Sequence, residues 1–134
     1  MPPQDLSSIR INGERLWRKL MEMAQIGATA KGGCNRQALT DEDKRGRDLF
    51  VHWCRQIGCS VTVDAIGNIF ARRAGRDDRL APILAGSHLD TQPTGGKFDG
   101  WNGPQPLDSL VDSISVLSSL QNIYTNHCCC AAGT

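Results

Sequence analysis

The sequence predicts an α/β fold, and three observations carry that prediction. Two stretches, 13–26 and 40–57, space their apolar residues as amphipathic helices do. Two alternating, β-branched runs at 59–64 and 68–73 flank a short turn and read as a hairpin. An apolar run at 80–85, LAPILA, has the length of a buried strand and leads into a glycine-rich polar segment. Ligands and catalytic groups in open α/β sheets gather just past strand C-termini. The segment after this run is therefore the place to look for chemistry.

Each element has its own local warrant. Asn12 is placed to cap the first helix, where Leu16, Leu20 and Met23 fall at i, i+4 and i+7. Trp17, Met21 and Ala24 widen that stripe. The loop 27–36 is rich in small residues, and its last residue, Arg36, reads either as a solvated cation or as a substrate contact. Thr40 with Asp43 resembles a capping box, and Asp41 and Glu42 suit the positive end of the helix that follows. That helix is expected to bury Leu49, Phe50, Trp53, Cys54 and Ile57, to leave His52 exposed, and to stop at Gly58.

The strand at 80–85 is apolar on both faces, which suits the interior of a covered sheet. The later strands that would cover it are expected to be absent from this chain, so its open edge predicts an aggregation-prone or only partly folded protein.

Composition excludes several classes. The chain has 134 residues, enough for one small domain, and a formal net charge of +1. Bulk charge thus points to neither a nucleic-acid nor a membrane partner. No apolar run reaches the roughly 18 residues of a membrane span. The first residues, MPPQDLSSIRIN, lack the apolar core of a signal peptide. The expected location is the cytoplasm, where the six cysteines stay reduced. Cys34, Cys54 and Cys59 show no metal-binding spacing, and Cys54 reads as a small core residue.

The polar segment at 86–103, GSHLDTQPTGGKFDGWNG, gathers His88, Asp90 and Asp99 among five glycines. Imidazole and carboxylate donors suit zinc, manganese, cobalt or nickel. His88 is expected just past the strand end. His88 and Asp90 are expected to point to opposite faces, so they are unequal partners at one ion. His88 would be the ligand, and Asp90 the carboxylate that takes its other ring N–H and fixes the tautomer. Asp99 returns after the Gly95-Gly96 turn and can offer an oxygen to each of two cations. The competing reading is a satisfied buried histidine with two turn-capping aspartates.

From residue 16 to residue 103 the chain resembles the N-terminal part of the N-carbamoyl-L-amino-acid hydrolase family. That family includes allantoate amidohydrolases and β-ureidopropionase-type enzymes, within the zinc aminoacylase and carboxypeptidase clan. The strings that carry the resemblance are AQIGATAKGG at 24–33, ALTDEDKRGRDLF at 38–50, DAIGNIFARRAGRD at 64–77 and GSHLDTQPTGGKFDG at 86–100. The resemblance implies the N-terminal part of a helix-flanked mixed sheet of a zinc-exopeptidase-like catalytic domain, here truncated. It also implies that His88 and Asp99 are metal ligands at a two-ion site, with Asp99 bridging, and that Asp90 is the catalytic-site carboxylate orienting His88. The implied substrate is a small carbamoyl or ureido compound, and the implied assembly of a complete enzyme is a homodimer.

The tail departs from that pattern. After Gly103 the only charged side chains are Asp108 and Asp112, and the chain runs to HCCCAAGT. The reading divides the chain into 1–103, the catalytic-domain portion, and 104–134, a divergent tail produced by a premature end or a frameshift. Leu107, Leu110, Val111, Ile114 and Leu117 suggest a helix at 108–122. His127 with Cys128, Cys129 and Cys130 is spaced too tightly to wrap one tetrahedral ion.

Family enzymes draw further ligands and their base from later segments. Three readings follow: an amidohydrolase of linear, non-peptide C–N bonds by descent, inactive as this chain; a peptidase or aminoacylase of the same clan; or a non-catalytic fragment.

Overall fold

A computed structural model describes residues 12–75, 79, 81–98 and 126–132. Asn12 accepts from the Arg15 backbone N–H at 2.9 Å, which starts helix α1 at Gly13–Ala24. The helix ends two residues before the expected position, because Gln25 already caps it and Gly27 turns the chain at φ +84°. Helix α2, Asp41–Gln56, begins at Thr40, whose hydroxyl accepts from the Asp43 N–H at 3.2 Å. The Asp43 carboxylate in turn accepts from the Leu39 N–H at 3.2 Å, one residue outside the usual reciprocal box. Gly58, at φ +81°, stops this helix as expected.

Strands β1 (Ser60–Val63) and β2 (Ile69–Arg73) form the predicted antiparallel hairpin, with Val63 opposite Ile69. Asp64 shapes its turn: one carboxylate oxygen accepts from Ile66 N and Asn68 N, the other from Asn68 Nδ2. Arg47 of α2 donates to the Gly67 carbonyl and ties the turn to the helix.

Strand β3 spans Pro82–His88 and β4 spans Asn126–Ala132. The sheet is mixed, in the order β1-β2-β4-β3, with β4 antiparallel to β2 and parallel to β3. Two expectations are corrected here. The β3 strand does not stop at residue 85: pairing with β4 continues to His88↔Ala132, so His88 is the last strand residue rather than the first loop residue. The tail segment at 126–132 is part of the sheet, and it fills one edge of β3 that was expected to lie open. The helix predicted at 108–122 lies outside the described residues.

Ile69 and Ala71, two apart on β2, turn one face of the strand to the helices. They close a core with Met23, Ile26, Phe50, Trp53, Cys54, Cys59 and Leu89. Trp17, expected in the buried stripe, is 56% exposed and reaches Phe98 instead. His52 is exposed as predicted.

Candidate active site

The site is built where β3 ends. His88 closes the strand, and burial alternates on through Leu89, Asp90 and Thr91. Leu89 and Thr91 are each 1% exposed, whereas His88 is exposed and Asp90 half-buried. Alternation along an extended chain puts residues i and i+2 on one face. The expectation that His88 and Asp90 point apart is therefore wrong. They point together, and His88 Nδ1 lies 2.8 Å from Asp90 Oδ1.

That contact has chemical consequences. With the Nδ1 proton directed at the carboxylate, the lone pair of a neutral ring sits on Nε2. The imidazole is about half exposed and the carboxylate mostly covered, at 45% and 15%. An imidazole held in this way would leave Nε2 available to a borderline divalent cation. Among the described residues there is no group of three or more His, Cys, Asp or Glu side chains that would enclose an ion. Asp99, the predicted second ligand, lies outside the described residues. Phe98 just before it is held against Trp17, with ring centroids 5.8 Å apart and planes tilted by 53°.

Behind the site lies a residue that sequence reasoning misplaced. Arg36 is neither solvated nor in reach of a substrate, since it is fully buried at 0% exposure. Its Nε donates to the Leu89 carbonyl at 2.9 Å. Its Nη1 donates to the Met23 and Ile26 carbonyls at 3.2 and 2.9 Å, and contacts Cys34 Sγ at 3.2 Å. Burial pulls its pKa below the ordinary value, opposed by Cys34, Asp43 and Asp90. The backbone joins in: Arg36 N donates to Thr91 Oγ1 at 2.7 Å, and Thr91 N donates to the Arg36 carbonyl at 2.8 Å. Thr91 Oγ1 also donates to the Cys34 carbonyl at 3.1 Å.

The loop 27–36 is thereby pinned along the segment that carries His88 and Asp90. Cys34 N donates to the Gly95 carbonyl at 3.2 Å. A Cβ on Gly33 would fall 2.6 Å from that same oxygen, so only glycine permits the approach. Gln92 to Gly95 form a turn closed by Gly95 N donating to Gln92 O at 2.8 Å, with Pro93 at the position proline favours. Between loop and turn opens a cleft of about 430 Å³, lined by residues that include Thr29, Lys31, Pro93 and Thr94. The signal for this arrangement was present as glycines 27, 33 and 46, whose missing side chains make room for the crossing.

No protein-family model matches the chain. It is 57% identical over 118 residues to an N-carbamoyl-L-amino-acid amidohydrolase from Rhizobium meliloti, matching 88% of this chain and 27% of that protein. The chain belongs to the family of the N-carbamoyl-L-amino-acid amidohydrolases. A second member, from Geobacillus stearothermophilus, is 42% identical over 119 residues, covering 87% of this chain and 28% of its own length. The crystal structure of a hydantoinase/carbamoylase family amidase from Burkholderia vietnamiensis superposes with a TM-score of 0.85 at 47% identity. It covers 96% of this chain and 30% of the amidase. The chain thus spans under a third of the length of these relatives. The 118 matched residues outnumber those up to Gly103, so the likeness to the Rhizobium amidohydrolase continues past that glycine. No helix among the described residues is long and apolar enough to cross a membrane.

Proposed function

We propose that this chain supplies one limb of a metal-dependent amidohydrolase site that cleaves linear, non-peptide C–N bonds of small carbamoyl or ureido substrates. The observation that carries the proposal is the 2.8 Å contact between His88 Nδ1 and Asp90. It is the arrangement that orients a ligating histidine and leaves Nε2 free to bind. In this reading His88 and Asp99 hold the metal, Asp99 shared between two ions, and Asp90 is the catalytic-site carboxylate that fixes the His88 tautomer. Zinc, manganese, cobalt or nickel, when bound, would supply Lewis-acid charge at the scissile carbonyl. The complete enzyme would be a cytoplasmic homodimer with no nucleic-acid or membrane partner. An N-carbamoyl-L-amino acid is the preferred substrate class, and allantoate the alternative.

The 134 residues alone are proposed to be inactive. Catalytic zinc sites use about three protein ligands, and this reading assigns two, His88 and Asp99. The test is a chimera in which this chain replaces the corresponding segment of the Rhizobium meliloti amidohydrolase. Ammonia release from N-carbamoyl-L-amino acids is expected from the chimera, lost on His88→Ala, and absent from the isolated chain. A folded, metal-loaded chimera without activity would overturn the amidohydrolase reading. Activity of the isolated chain, lost on His88→Ala, would overturn the inactivity.

A further inference from the structure

We infer that Arg36 is a positioning residue for the His88–Asp90 pair, a role that rests on the proposed function only insofar as that pair is the site. Three independent contacts converge on it. The guanidinium donates to the carbonyl of Leu89, the residue that separates His88 from Asp90. The Arg36 backbone exchanges hydrogen bonds with Thr91, so the chain is clamped on both sides of Asp90. The other end of the guanidinium is anchored on the Met23 and Ile26 carbonyls. Helix α1 carries no basic residue in its last turn, and Arg36 brings a cation to that negative end from elsewhere in the chain.

The pairing of His88 with Asp90 on one side of the chain requires that Leu89 and Thr91 stay turned inward. A carbonyl held by a buried guanidinium and a hydroxyl bonded to two backbone groups enforce that turn. Helix α2 completes the clamp. A Cβ on Gly46 would lie 2.7 Å from Arg36 Cδ and 3.1 Å from its Nε, so the Arg36 side chain occupies the groove that this glycine leaves. A Cβ at Gly46, on a helix that carries no site residue, thus meets Arg36 before any other group, with Met23 Sδ next at 3.4 Å, an ordinary contact distance.

The experiment uses the full chain and long-range nitrogen correlation spectra of the histidine rings, recorded at one fixed pH above the imidazole range. Gly46→Ala is compared with Arg45→Ala, an exposed change one position away. In Gly46→Ala the ratio of the Nε2–H to the Nδ1–H tautomer of His88 is expected to rise about threefold to tenfold, the equivalent of one weakened hydrogen bond. The ring of His52, on the same helix, should not change, and Arg45→Ala should leave both rings as they are. A folded Gly46→Ala protein with an unchanged His88 overturns the inference.

Should Gly46→Ala fail to fold, native-state hydrogen exchange on the unsubstituted chain decides. The Arg36 Nε–H and the Thr91 backbone N–H, which hold the chain on either side of Asp90, are expected to open in one step. A Thr91 N–H that opens separately, at much lower cost, overturns the inference.

Discussion

Trp17 and Phe98 meet across eighty positions of sequence, ring against tilted ring, at the point where the motif approaches Asp99. The contact explains why a tryptophan that is 56% exposed occupies α1. Its outer face is wet, and its other face holds the Gly95–Phe98 end of the polar segment against the helix. Such aromatic pairs contribute about 0.5–1.5 kcal/mol beyond area burial. Trp17→Ala and Phe98→Ala are therefore expected to couple by about that amount in a double-mutant cycle read by urea denaturation. Additive losses would mean that the rings are neighbours without being partners.

The glycines of the loop give a graded prediction. A Cβ on Gly27 would sit 2.5 Å from the Asn35 carbonyl oxygen, on a residue already at φ +84°. Both faults act at once, so Gly27→Ala should cost more than about 2 kcal/mol. Gly32 has the same left-handed backbone, φ +82°, but open space around it. Gly32→Ala should cost only the conformational penalty, about 1–2 kcal/mol. Thermal melts of the two variants give the order, and equal losses would show that crowding at Gly27 relaxes freely.

What was legible in the sequence is what is decided locally. Asn12 and Thr40 announce their helices because a cap bonds within three residues. The hairpin turn is equally local, set by Asp64 and Asn68. The full length of β3 was hidden, because β4 lies some forty positions further on and reads as an unrelated tail. The burial of Arg36 was hidden for a related reason. Arginine is usually exposed, and its partners at Leu89 and Thr91 are more than fifty positions away. The site itself was half legible. The contact between His88 and Asp90 was expected and is present, but period-two alternation was applied with the wrong parity.

Alkaline pH should weaken the fold through its buried thiols. Burial, with a smaller push from Cys59, raises Cys54 from an ordinary 9.0 to about 12, and burial also raises Cys59. Between those values the unfolded chain releases a proton that the folded chain keeps, so stability falls as pH rises. The slope approaches about 1.4 kcal/mol per pH unit for each fully shifted thiol, and vanishes below about pH 8. Urea midpoints from about pH 8 to about pH 10 are expected to decline, and Cys54→Ala to flatten the decline. A variant that follows the same slope would place its origin in other groups. Thiols held this high are also poor nucleophiles near neutrality.

Residues 126–132 lie between β2 and β3 and pair with both, Cys129 opposite Ala71 on one side and Ala85 on the other. Adjacent strands are about 4.8 Å apart, so removing the middle strand leaves a gap of roughly 10 Å that neither neighbour can bridge. A chain cut after Gly103 would keep the β1–β2 hairpin and the helices that cover it. It would lose every described pairing of β3, and His88 would lose the strand that fixes its backbone. Open apolar strand edges template association with other chains. The cut chain is expected to elute as aggregates on size exclusion and to lose cooperative unfolding, while the 134-residue chain elutes more compactly. The Arg36 contacts to Leu89 and Thr91 do not involve β4, so they can hold the motif only if the rest of β3 stays ordered. Two sharp monomers with equal melting transitions would show that this arginine clamp holds the site without the strand.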